Sequence, residues 1–474
     1  MTRAILSLHA IAFAAAPSAP AAAALRITEN TTWSVLESPH LFTEEVVVAS
    51  GATLTVEAGA EIRFGRTDPL DRGEVPGPHL RVEGLLEVLG EEGSPVRFSG
   101  LDDTNDDWGG IVFAPEAISA ELTESGEYFG GSILRHAEIR DAGDTGLFLD
   151  GSAPFIASIV FAANAALYDK GEEIVVDPAI QDDELIHGGA LYAYRLESEL
   201  RVVDCTFADN YSANVGGAAS AVECDPTPVA FERCSFERNT SGARGGGALR
   251  LLGSSPKLDD CAFLDNTAER GGAIHASYYS NARIENSLFR DNQVDLVGGA
   301  LFIAHQSDVL IIGCRFESNS VASESSMGGG AIGIHANGAP VIHQSVIENN
   351  VAPRGAALLL THREIPHERP VYVLCSRFTG NLATTPNGAP TIHSSDWQDL
   401  VLRANSIEDE SPTAGEIVFS AGEWPGNSGA DADVRGNFWL AGSSIDSVEL
   451  RDNGGGLPGV ILGRDRIDGA ACVK

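Results

Sequence analysis

The sequence predicts an all-β fold, a parallel β-solenoid wound as one continuous stack. Three observations lead there. A short motif recurs along the chain. Cys261 to Ile274 reads C-A-F-L-D-N-T-A-E-R-G-G-A-I, a large apolar residue, an Asn three positions later, and a Gly-Gly-Ala-aliphatic run after a short gap. Phe207/Asn210 leads to Gly216-Gly217-Ala218, Phe236/Asn239 to Gly246-Gly247-Ala248, Phe289/Asn292 to Gly298-Gly299-Ala300, and Phe316/Asn319 to Gly329-Gly330-Ala331. Weaker copies are Ile347/Asn350 with Gly355-Ala356 and Phe378/Asn381 with Gly388-Ala389. The second observation is spacing. Ile139 to Phe161 is 22 residues, and the steps from Phe207 onward run from 26 to 31. Coils of that length made of short strands are solenoid turns. The third is composition. Two Met, 52 Gly and 43% hydrophobic residues favour strands and tight turns over helices.

Length and charge bound the rest. The 474 residues would suggest roughly three globular domains, but a solenoid uses the same length as one stack. The net charge of −36 excludes nucleic acid and anionic lipid as partners. The acids are interleaved with apolar residues, so the charge does not imply disorder.

The N-terminus reads as an export signal over residues 1–24. Met1-Thr2-Arg3 is a basic start, Ala4 to Ala16 is apolar, and Pro17 to Ala24 is rich in small residues. No later run is long and apolar enough for a transmembrane helix. The mature chain, from about Leu25, is expected to be secreted, periplasmic or cell-surface associated, and monomeric.

Residues 25–45, with Trp33 and Pro39, form the expected N-terminal cap. Glu45 to Phe64 and Leu80 to Phe98 alternate apolar and polar residues between Gly turns, the pattern of short strands. Asp102 to Phe113 is an acidic loop running into Trp108-Gly109-Gly110. The repeats proper fill residues 161–392. The 46-residue step from Phe161 to Phe207 holds an acidic insertion, and the step before Phe378 holds Thr361 to Pro370. Residues 430–474, with Phe438 and Trp439, form the C-terminal cap. About twelve coils at ~4.8 Å give a rod on the order of 60 Å long.

Each motif position has a mechanical reason. Asn210, Asn239, Asn266, Asn292, Asn319, Asn350 and Asn381 form a structural ladder at one corner, where an Asn side chain can donate to and accept from its copies and can tolerate a left-handed backbone. The glycines supply positive φ and close approach. Cys205, Cys234, Cys261 and Cys314 each lie two residues before the repeat Phe, with Cys375 one residue earlier in register. They share the inward face, as buried thiols or as disulfides between adjacent coils.

The F-x-x-N and G-G-A-[ILV] pair, in five good copies, resembles the repeat of polymorphic outer membrane proteins. Gly51-Ala-Thr-Leu-Thr-Val, Trp108-Gly-Gly-Ile and Gly436-Asn-Phe-Trp resemble the first and last coils of bacterial exported proteins with a single-stranded right-handed parallel β-helix. The resemblance implies that handedness and a surface or adhesin-like role. The chain departs from it in having no stretch resembling a membrane β-barrel after the coils.

Candidate sites follow from strand alternation. After each Gly-Gly-Ala the second and fourth residues face outward, giving Tyr192, Tyr194, Arg250, His275, Phe302, His335 and His393. His305, His335, His362 and His393 are expected to line up on one corner, near Asp308, Glu364, His367 and Glu368. These residues could hold a glycan or a surface protein. Their spacing fits no metal motif, and no metal or cofactor is expected beyond weak Ca2+ at the acidic loops. The alternative is a polysaccharide lyase or glycoside hydrolase using loop carboxylates, Asp102, Asp103, Asp106 and Asp107 or Glu172 to Glu184. No nucleophile motif or phosphate loop accompanies them. Asp209, Asp265 and Asp291 recur after the Phe, interrupted by Arg238.

Overall fold

The computed structural model describes residues 24–65, 77–101, 108–166, 188–242, 244–324, 326–361, 369–386, 388–395, 400–409 and 417–421, with the short strand segments 432–433, 437–439, 448–452 and 460–461 beyond. The export signal, both acidic loop runs, His362 with Glu364, His367 and Glu368, and most of the 430–474 cap lie outside the described residues.

Strands stack in parallel, coil upon coil. The first sheet has 15 strands, one per coil from Leu25–Ile27 to Val448–Asp452, against an expectation of about twelve coils. Two further sheets run beside it through strands such as Leu200–Val203 and Thr206–Ala208. They merge where Ile133–Arg140 and Phe155–Ala162 continue unbroken through the corner between them. A fourth sheet of eight short strands runs from Ala165–Ala166 to Leu382–Ala383. The only antiparallel pair among the described sheets is the hairpin Glu121–Leu122 with Tyr128–Gly130.

Register is fixed by the repeat. Phe161, Phe207, Phe236, Phe263, Phe289 and Phe316 form one internal stack, with centroids 4.6 to 4.8 Å apart and planes within 7°. All six are fully buried, and each contributes roughly 1.5–3 kcal/mol. Slipping by one residue would turn every one of them outward. Aromatics also stack inside the first described coils. Trp33 stacks on Phe42 at 4.9 Å, Phe42 lies 5.3 Å from Phe64, and Phe64 stacks on Trp108 at 5.8 Å.

The Asn ladder exists and is longer than expected. Each Asn accepts, through Oδ1, from both the backbone N–H and the side-chain Nδ2 of its copy in the preceding coil. Its own Nδ2 donates to a backbone carbonyl of that coil. Asn266 shows the pattern, accepting from Asn239 N and Nδ2 at 3.0 Å and donating to Phe236 O at 2.9 Å. Among the described residues Asn164 begins the series and Asp409 is its last member. One expectation fails: the ladder Asn is not the left-handed residue. The residue before it is, at Asp209, Arg238, Asp265, Asp291, Ser318 and Asn349, with φ between +53° and +58°. The Asn is chosen for its hydrogen bonds, and its neighbour makes the bend.

A second ladder runs where the cysteines lie. Backbone N–H groups donate to the side chain one coil on: Ile159 to Cys205 Sγ, Cys261 to Ser287, Cys314 to Ser345, Ser345 to Ser376, Ser376 to Asn405 and Asn405 to Asn437. Cys, Ser and Asn are interchangeable here because each offers a short acceptor. Cys205, Cys224, Cys234, Cys261 and Cys314 are free and buried, so no disulfide joins Cys205 to Cys234 or Cys234 to Cys261. The neighbouring Cys205 thiol and burial push the Cys234 thiol up, and burial pushes Cys314 to about 12. Such thiols pack as small hydrophobes. Cys375, which is disulfide-bonded, takes the left-handed position (φ +52°) and leaves the ladder place to Ser376.

Candidate functional site

The outer face of the first sheet carries two side-by-side columns of side chains. One column runs Phe148, Tyr192, Ser220, Arg250, His275, Phe302, Gly333, Leu359, His393. The other runs Asp150, Tyr194, Val222, Leu252 and Ser277, and further along His335 beside Thr361. The outward direction read from the sequence therefore holds, but outward is not exposed. Tyr192, Arg250, His275, Phe302 and His393 are all buried. Columns at strand spacing shade one another, and the residues leading into each glycine turn, Val215 and Val297 among them, pack over the same face. Tyr192 stacks on Phe148 at 4.9 Å and lies 5.9 Å from Tyr194, within an outer apolar cluster that includes Val215, Val222 and Leu252. Arg195 sits 4.9 Å over the half-buried Tyr194 ring.

The histidines do not form one line. His275 and His393 stand in the first column, His335 in the second, and His305 at the following corner. His305 follows its Ala by five residues and His335 by four, while the weaker Gly388-Ala389 copy starts its strand only at Ile392, so His393 comes second in its strand and His335 fourth in its own. Asp308 is drawn away by Arg369, with which it pairs.

Three of the histidines nonetheless converge. A hollow of ≈160 Å3 opens on this face, lined by Val215, Arg244, Arg250, Arg270, His275, Ser277, Tyr278, Phe302, His305 and His335. Strands Leu249–Leu252, Ile274–Ser277, Leu301–Ile303 and Ile332–His335 give the floor. The segments entering the Gly-Gly corners give one wall, and the left-handed corner at Tyr278 and His305 the other. Arg250 is held from beneath, its Nη1 donating to Leu251 O at 2.9 Å and His275 O at 3.3 Å. His275 Nδ1 lies 2.8 Å from Arg244 O. A carbonyl can only accept, so Nδ1 carries the proton. Burial, and then the Arg250 charge, hold the His275 pKa well below its usual value. The ring is therefore neutral and Nε2 is an acceptor. Tyr278 lies against His305 at 4.4 Å and Phe302 against His275 at 4.8 Å. His335 Nδ1 lies 2.9 Å from Thr361 Oγ1.

Glycine keeps the hollow open. Gly245 has φ +98°, and a Cβ there would run into the Arg270 carbonyl and come within 3.0 Å of His275 Nδ1.

Among the described residues no Asp or Glu lines this hollow. Arg244, Arg270, Val215, Ser277 and Tyr278 were missed from the sequence. A signal was available for two of them. Arg stands directly before the glycine turn at Arg244-Gly245, Arg270-Gly271 and Arg354-Gly355, in a chain with only 31 basic residues. Asp209, Asp265 and Asp291 belong elsewhere, at the bends before the Asn ladder. Asp209 is paired bidentately with Arg238 at 2.8 and 2.9 Å. Among the described residues no group of three or more His, Cys, Asp or Glu is gathered closely enough to hold a metal ion. No described helix is long and apolar enough to cross a membrane.

Comparison with known proteins bears on the fold. Residues 189–381 match the family model described as the right handed beta helix region. That span contains every lining residue of the hollow. A "Metabotropic glutamate receptor-like protein R" of Dictyostelium discoideum is 30% identical over 152 residues. The match covers 32% of this chain and 9% of that protein. Stacked parallel sheets and the matching family model agree that the chain is a right-handed parallel β-helix.

Proposed function

We propose that the chain is a non-catalytic binding β-helix that holds a glycan or a protein on the outer face of its first sheet. One observation carries this reading: the hollow at Arg250, His275 and Phe302 combines fixed cations with aromatic faces, and none of its described lining residues is a carboxylate. Glycoside hydrolysis needs a carboxylate pair flanking the bond, and the described lining of this hollow supplies none. Sites that combine a few placed polar groups with apolar walls bind small ligands, and aromatic faces stack on sugar rings and partner side chains. The basic and apolar start of the chain supports export, and the likeness of the repeat to polymorphic outer membrane proteins supports a place at the cell surface.

The test pairs a glycan and protein array with an activity screen on acidic polysaccharides, with and without Ca2+. The expected result is retention on the array, weakened by Tyr278→Ala and His335→Ala, with no product released. Release of shortened or unsaturated saccharides would overturn it.

A further inference from the structure

We infer that the hollow is a subsite for one anionic sugar ring, a saccharide residue bearing a carboxylate or a sulfate. The inference rests on the binding reading above and deepens it.

Charge comes first. The exterior is strongly acidic, yet three arginines from two adjacent coils, Arg244, Arg250 and Arg270, line a single hollow. The Arg270 ion pair, with Glu269 at 3.5 Å, is made outside, since Glu269 is not a lining residue. Arg250 is nine-tenths buried and fixed by two carbonyls, so its charge is presented without loss of side-chain freedom on binding. Planar guanidinium forks match carboxylate and sulfate oxygens. Among the described lining residues a metal cation would meet only positive and neutral groups.

Unsatisfied polar atoms form a second, independent observation. Ser277 is 1% exposed and lines the hollow, and its Oγ has no hydrogen-bond partner. Arg270 Nε is likewise buried without one. Buried polar atoms are costly unless something pairs with them. A hydroxyl-bearing ring offers what each needs: a hydroxyl for Ser277 Oγ, an anionic oxygen for Arg270 Nε. The neutral His275, with its acceptor Nε2, adds a place for a second hydroxyl.

Size and walls set the class. At ≈160 Å3 the hollow is well below the ~300–1,000 Å3 of drug-sized sites, so it takes one ring rather than an oligomer. Tyr278 and Phe302 give that ring apolar faces. Each links the hollow to an apolar cluster on the sheet, Tyr278 to the one around Tyr192 and Phe302 to the one around Leu359. The overall negative charge disfavours a densely charged polyanion such as nucleic acid and admits a ligand whose charges are spaced by neutral sugar.

The experiment is titration calorimetry of the full chain with glucuronate and galacturonate, glucose 6-sulfate, neutral glucose and galactose, and a Glu-rich peptide. It is repeated on Arg270→Gln and Ser277→Ala. Acidic sugars are expected to bind at least tenfold more tightly than neutral ones. Arg270→Gln should remove that preference, while the unfolding temperature stays within a few degrees of the parent. Ser277→Ala should weaken every sugar alike. Comparison of uronate with sulfate identifies which anion is preferred. Equal binding of neutral and acidic sugars would overturn the anionic assignment and leave the binding reading standing. Arg270-dependent capture of the peptide without sugar binding would overturn the saccharide class alone. Silence of the whole panel together with polysaccharide cleavage would overturn the binding reading as well.

Discussion

Asn266→Ala tests whether the Asn ladder holds the coils together. The side chain makes four buried hydrogen bonds. Its Oδ1 accepts from Asn239 N and from Asn239 Nδ2, both at 3.0 Å, and its Nδ2 donates to Phe236 O at 2.9 Å and to Asn292 Oδ1 at 3.0 Å. Alanine removes all four. The Asn239 backbone N–H is left buried without an acceptor, and so is one of the two Asn239 amide protons, since the other goes to Phe207 O. Each orphaned buried donor costs about 1–3 kcal/mol, so the variant should lose about 4 kcal/mol. Asn292 Oδ1 keeps the Asn266 backbone N–H and adds little to the loss. The control is Thr267→Ala, at an exposed neighbour, which should stay within about 0.5 kcal/mol. Urea unfolding followed by circular dichroism gives the global value. A long stack can unfold in parts, so hydrogen exchange over residues 236–292 gives the local one. A loss below about 1 kcal/mol, or one equal to that of Thr267→Ala, would refute the ladder as a source of stability.

Three further outcomes follow from particular residues. Gly245→Ala should strain a φ of +98° and push the Arg270 carbonyl aside. A destabilisation of about 1–3 kcal/mol and loss of ligand retention on the array are expected, and unchanged retention would show that the hollow is not the site. Asp409, the last described member of the Asn ladder, has its pKa raised, chiefly by burial. A raised carboxyl pKa favours the fold at acid pH, and that contribution is lost as pH rises through the folded value. Asp409→Asn should therefore raise the unfolding temperature at pH 7, with the gain fading toward pH 4, and a gain independent of pH would contradict it. His275 has its pKa depressed, chiefly by burial. Its contribution is complete above the ordinary value of 6.5 and falls as pH drops below it. His275→Asn, which keeps a donor for Arg244 O, should flatten the stability profile between pH 6.5 and 5, as read by thermal unfolding.

Much of the scaffold was legible because it repeats. Phe263, Asn266 and the Gly271-Gly272 pair each recur at one place per coil, and repetition separates such positions from chance. Gly271 has φ +57°, and a Cβ on Gly272 would run into the Gly299 carbonyl. The reach of the second ladder was not legible, because Cys261, Ser287 and Asn405 share only the ability to accept one hydrogen bond. Nor was the burial of His275 and Arg250. Strand alternation gives direction, while burial depends on what the next coil and the pre-glycine segments lay over that direction.

The candidate site was half visible for the same reason. Arg250, His275, Phe302, His305 and His335 were named from alternation and offset, but as exposed residues, with the histidines on a single corner. Arg244, Arg270 and Ser277 come from different positions in their coils, and only stacking brings them to one hollow. The sequence by itself determined the coil, its inward column and its hydrogen-bonded corner, because each rests on a local period that one chain can spell out. The tertiary structure alone decided the hollow, because it is made by positions that vary from coil to coil, and the distances between those positions are set by register across coils rather than by order along the chain.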